Sequence, residues 1–140
     1  MKPAVPETTR FLAAMLRDEI VPQLSGAHAG NVGMAAAMLD MVAEHWDGTA
    51  ARLHSENKAL HALVSRCAAH LGEAAPAANA GDDLRISALT TQNEALRTQL
   101  IAHHVALENE GSNAAATLED EIWAFLRDSV EQQRIGSANF

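Results

Sequence analysis

The stretch SGAHAGNVGMAAAMLDMVAEHWDGTAARLHSENKALHALVSRCAAHL, residues 25–71, decides the fold. Taken every three or four residues it gives Val32, Ala35, Leu39, Val42, Trp46, Thr49, Leu53, Glu56, Leu60, Leu63, Cys67 and His70. The alternate members Val32, Leu39, Trp46, Leu53, Leu60 and Cys67 are all apolar. A seam held in phase for this long predicts one long bundle helix over about 27–71. Gly48 lies midway, yet the phase passes through it unchanged, so the helix is expected to be continuous.

A second stripe, Met34, Met38 and Met41, runs at i, i+4 and i+7 beside the first. A helix apolar on two sides is buried on two sides, and methionine suits adaptable contact surfaces.

The flanking sequence supplies the remaining helices. Pro6 and Glu7 fit a helix start, with residues 1–6 as an arm. Phe11, Leu12, Met15, Leu16 and Ile20 form the face of a first helix that ends or kinks before Pro22. Gly72 and Pro76 close the long helix, and Asp82 or Asp83 can cap the next. That helix carries Ile86, Leu89, Asn93, Leu96, Leu100, His103 and Leu107 at near-heptad spacing. The loop at 111–113 separates it from a fourth helix with Leu118, Ile122, Phe125, Leu126 and Val130, and Ile135 and Phe140 can dock the tail. HSENKALHALV at 54–64 echoes TTQNEALRTQLI at 90–101, aligning Asn57 with Asn93. An asparagine on a seam is costly unless paired, and such residues often fix helix register.

The prediction is an all-α antiparallel bundle of about four helices around one long central helix. It makes one domain over 7–136, followed by a tail, 137–140. At about 1.5 Å per residue the long helix spans roughly 70 Å, more than its partners can cover. The methionine stripe is left short of cover, and a second copy is expected to supply it through Met34, Met38 and Met41, giving a two-fold homodimer.

Composition narrows the function. The 140 residues are 48% hydrophobic and 20% charged, with aromatics at 4% and a net charge of −8. That balance suits a globular chain and argues against nucleic-acid or anionic-membrane partners, which need clustered Lys and Arg. The first twenty residues carry charges throughout, so neither a signal peptide nor a membrane span is expected, and the cytoplasm is the default compartment. The single Cys67 sits on the seam and reads as a small buried hydrophobe rather than a reactive thiol.

Signals for chemistry are sparse. The SGAHAGNVG turn could present free N–H groups to an anion through Ser25, Gly26, His28, Gly30 and Asn31. Its spacing is not that of a P-loop, and a tight turn leading into close helix packing is the stronger reading. Seven histidines are many for this length. A metal centre from His45, His54, His61, His104 and Glu108 can be drawn, but Glu-x-x-His and HExxH are both absent. No G-x-S-x-G elbow occurs, and no cofactor is expected. Three functions remain. A non-catalytic helical assembly or protein-interaction module leads. A binder of an acyl-CoA or nucleotide-like molecule and a His/Glu metal-dependent enzyme follow.

FLAAMLRDEIVPQLSGAHAGNVGMAAAMLDMVAEHW and DLRISALTTQNEALRTQLIAHH resemble segments of a family of short bacterial helical proteins. These are encoded beside, or fused to, aminoglycoside-phosphotransferase-like kinases and acyl-CoA dehydrogenases. The resemblance covers residues 11–108, departs at His45-Trp46, and weakens toward the C-terminus. It implies a partner enzyme and an accessory place in acyl-CoA metabolism. The family has no established catalytic residues to carry over.

Overall fold

The computed structural model describes residues 4–77 and 83–134, with the side chain of Asp47 left aside. Every regular element among them is helical. Helix α1 spans Val5–Met15, α2 Gly26–Leu71, α3 Ile86–Glu110 and α4 Asn113–Gln132. No helix among the described residues is long and apolar enough to cross a membrane.

The expected count of about four helices is too low, because the first segment does not simply stop. A π-helical turn, Leu16–Ile20, and a 3₁₀ turn, Val21–Gln23, follow α1 directly. Pro22 explains the change. Its ring would collide with a carbonyl one turn back and it has no N–H to donate. The chain widens first, and Val21 N–H reaches back five residues to the Leu16 carbonyl. The proposed arm is also shorter than 1–6: α1 starts at Val5 after an extended Ala4, and Pro6 is buried in its first turn. Residues 1–3, 78–82 (with the Asp82 cap) and 135–140 (with the tail and its docking residues) lie outside the described residues.

Helix α2 continues through Gly48 as expected. The described residues fall into two compact units, one running up to Thr49 and the other over Ala50–Arg134. The reason lies in what each half buries.

In the first unit the only fully buried apolar side chains among the described residues, apart from Pro6, are alanines: Ala13, Ala36 and Ala43. The Arg17 guanidinium pairs with the Asp40 carboxylate. The buried face of this part of α2 is therefore the Ala36–Asp40–Ala43 side. The predicted seam lies on a neighbouring face, where Ala35, Val42 and Trp46 are exposed.

In the second unit the seam holds. Leu53, Glu56, Leu60, Leu63 and Cys67 of α2 are buried, and Leu89, Asn93, Leu96, Leu100, His103 and Leu107 of α3 join them. Of these, Leu60, Leu63, Cys67, Leu96, Leu100 and Leu107 form one core with Ala115 and Ile122 of α4, and Leu118, Phe125 and Leu126 pack at its edge. Burial pushes the Cys67 thiol up from its usual range, as suits an inert core residue. Val130, assigned to the α4 stripe, is exposed; Ser129 beside it is buried instead, because it accepts a hydrogen bond from α3.

Two residues join α3 to α4. Gly111 adopts φ 64° and its N–H donates to the Leu107 carbonyl at 3.1 Å, closing α3. Ser112 then caps α4, its hydroxyl accepting from Ala115 N–H at 3.1 Å. That hydroxyl also donates to Glu110 at 2.7 Å and, with His70 at 2.9 Å, holds the Glu110 carboxyl below its ordinary range. Helix α3 has no side-chain cap; Asp83 pairs with Arg85 instead, which lowers the Asp83 carboxyl to about 2.

The glycines separate into two kinds. Gly33 lies inside α2 with no atom within 4 Å of an added Cβ, so it is not the close-packing glycine the sequence suggested. Gly33→Ala is expected to raise stability by about 0.5–1 kcal/mol, whereas Gly111→Ala, at positive φ, is expected to lower it by about 1 kcal/mol. Urea unfolding of both variants checks the opposite signs.

Candidate interaction face and buried polar layer

Two features stand out, one in each unit. The first is the side of α2 turned away from Ala36 and Ala43. At 3.6 residues per turn, Met34, Met38, Met41 and His45 fall roughly opposite those alanines. Met34 is 59% exposed and Met38 58% exposed, and Val42 and Trp46 on the flank are exposed as well. Met38, Met41, Val42 and His45 line a shallow open hollow whose surface is almost entirely hydrocarbon. Phe11 and Leu12 of α1 are also exposed. The arrangement follows from composition: this half of α2 is apolar nearly all round, and the described residues bury its alanine side while leaving Met34 and Met38 on the other exposed.

The second feature is a polar layer inside the second unit. Glu56 and Asn57 on α2, Asn93 and Arg97 on α3, and Ser129 on α4 converge there. Asn93 Nδ2 donates to Glu56 Oε1 at 3.0 Å and to Asn57 Oδ1 at 2.8 Å. Arg97 Nη2 donates to Glu56 Oε1 at 2.5 Å and to Ser129 Oγ at 2.7 Å, while its Nε donates to Asn93 Oδ1 at 2.8 Å. Asn57 Nδ2 reaches the Leu89 carbonyl at 2.9 Å. The guanidinium also lies over the Phe125 ring, 5.9 Å from its centroid. Glu56 Oε2 has no hydrogen-bond partner, its nearest cation being Arg52 at 3.9 Å. A pocket of about 110 Å³ opens alongside, lined by Ser55, Glu56, Ala59, Phe125, Asp128, Ser129 and Gln132.

This layer ties three helices together and fixes their register. Asn57 and Asn93, aligned by the internal echo, touch each other. The sequence marked Asn93 as a polar residue on an apolar seam and placed Glu56 on the seam of α2. It did not mark Arg97 or Ser129, which lie one turn from a seam position and one residue from Val130. Three polar residues meeting at one level of three seams was the available signal.

The remaining candidates are scattered. Ser25, Gly26, His28, Gly30 and Asn31 are all exposed at the start of α2, with Gly26 at φ 57°. Of the metal set, His45 is in the first unit and the others in the second. His61 contacts the Ala77 carbonyl at 3.2 Å. His104 meets the Trp123 ring edge-on at 5.6 Å and lies 3.8 Å from Glu108, and His54 is exposed. Among the described residues no three His, Cys, Asp or Glu side chains come close enough to hold a metal ion. The donors pair off instead, His70 with Glu110 at 2.9 Å and His103 with Glu73 at 3.1 Å.

No protein-family model, curated protein or solved structure matches this chain.

Proposed function

We propose that the protein is a non-catalytic helical assembly module that self-associates through the first half of α2. The observation that carries this reading is the mismatch within the first unit. Among its described residues the buried apolar side chains are alanines and one proline, while Met34, Met38, Val42, Trp46 and Phe11 are exposed. A contiguous apolar face of this kind, several hundred Å² in extent, marks an interaction site.

The polar layer around Glu56 supports the same reading by its chemistry. Its hydrogen bonds are spent on one another and on three helices, which is how a residue cluster specifies packing. The fold is accordingly read as a helical bundle organised around α2, with a homodimer as its working form. A partner enzyme, and an accessory place in acyl-CoA metabolism, belong to the same proposal through the family resemblance.

Sedimentation equilibrium tests it. A mass of two chains at about 100 µM, falling toward one chain on dilution, is the expected result for an interface of modest area. A mass of one chain throughout that range removes the proposal.

A further inference from the structure

We infer that two copies pair antiparallel along the first half of α2, as a short coiled coil whose layers are Met38 with Met41, Met34 with His45, and Asn31 with Gly48 of the second copy. This rests on the self-association reading and adds the orientation and register that reading leaves open.

The open side of α2 carries Asn31, Met34, Met38, Met41, His45 and Gly48 at steps of three, four, three, four and three residues. That alternation is the seam of a two-stranded coiled coil. The six positions are symmetric about a point between Leu39 and Asp40. Turning a second copy end for end about that point places each seam residue against the other class of seam position. Met38 then faces Met41 of the second copy, and Met34 faces His45 of the second copy.

Size decides between orientations. In the antiparallel layers the largest positions meet at the centre, and the side chain of Asn31 lies over the glycine of the second copy. In a parallel pair Gly48 would face Gly48, leaving a void, and His45 would face His45. Gly48 has no packing reason among the described residues: beyond its own stretch of helix none has an atom within 4 Å of an added Cβ, and a mid-helix glycine costs stability. A small residue on a seam lets a second helix approach or accepts a larger side chain from it.

The contact is short. The seam is about 26 Å long, and with Val42 and Trp46 on its flank it removes on the order of 500 Å² per copy, the low end for a specific interface. A second copy fits this better than a larger unrelated partner, because a self-complementary stripe needs only the residues it already has.

Cross-linking tests the register at two positions of the seam, the exposed Met34 and the half-buried His45. Met34→Cys and His45→Cys proteins are prepared separately in a Cys67→Ala background and treated with a short bismaleimide, alone and mixed. The antiparallel pair predicts cross-linked dimer in the mixture and at most traces in either protein alone, because like positions are then about 16 Å apart along the axis. Efficient cross-linking of each protein alone overturns the register and leaves the assembly reading standing. So does a dimer by sedimentation with no cross-link in any sample. A monomer by sedimentation removes both.

Discussion

Arg97→Ala is expected to destabilise the second unit by about 3–5 kcal/mol, a large part of the 5–15 kcal/mol that holds a typical domain together. The size follows from what the substitution leaves behind. The Glu56 side chain is 2% exposed and accepts its closest hydrogen bond from Arg97. Without the guanidinium, that carboxylate keeps its desolvation cost and retains only Asn93 and the more distant Arg52. Ser129 and Asn93 each lose a partner as well. Removing both charges is expected to be far milder: Glu56→Leu with Arg97→Met should recover most of the loss, because an apolar pair of similar volume avoids the desolvation term altogether. Urea denaturation of the two single variants and the double variant measures this. A double variant no more stable than Arg97→Ala would mean that the layer holds the helices by something other than its charge balance.

Met38→Glu is expected to weaken self-association by on the order of 100-fold, about 2.7 kcal/mol, while leaving helix content unchanged. Met38 is exposed within its own chain, so the carboxylate costs nothing in the single chain. In the dimer two such charges, one per copy, would be removed from water without a partner. Val130→Glu is the matched control. It places the same charge on an exposed apolar position of the second unit and should leave the sedimentation mass as it was. Equal dissociation constants for Met38→Glu and the parent protein would place the contact elsewhere.

In the second unit the α3 stripe was legible in the sequence nearly residue by residue, while Ser129 and Arg97 were not. The stripe is buried from Leu89 through Leu107, because Leu, Asn and His at heptad spacing can point only one way in a three-helix core. The first half of α2 was less legible for a physical reason. Ala35, Ala36, Val42 and Ala43 offer two apolar faces of similar strength, and periodicity cannot rank them. The alanine side is the buried one, and the ion pair between Asp40 and Arg17 of the π-helical turn lies on that side. The turns resisted reading too. The widened turn before Pro22 depends on backbone geometry, and Asp83 spends its carboxylate on Arg85 rather than on the end of α3. At the candidate site the methionines were visible as a stripe, whereas spacing does not say where a histidine goes: His70 and His103 meet carboxylates, His61 a carbonyl and His104 a tryptophan ring.

The alanine-lined contact in the first unit has a consequence for how the molecule breathes. A helix held to its neighbour by methyl groups and one ion pair opens at low free energy, while amides around Leu60 and Leu107 should exchange only near global unfolding. Raising the protein concentration should slow exchange around Met38 and leave the Leu107 amide unaffected, since mass action protects only what association covers. Hydrogen–deuterium exchange at two concentrations would then separate a half that is stable by itself from a half whose rigidity is borrowed.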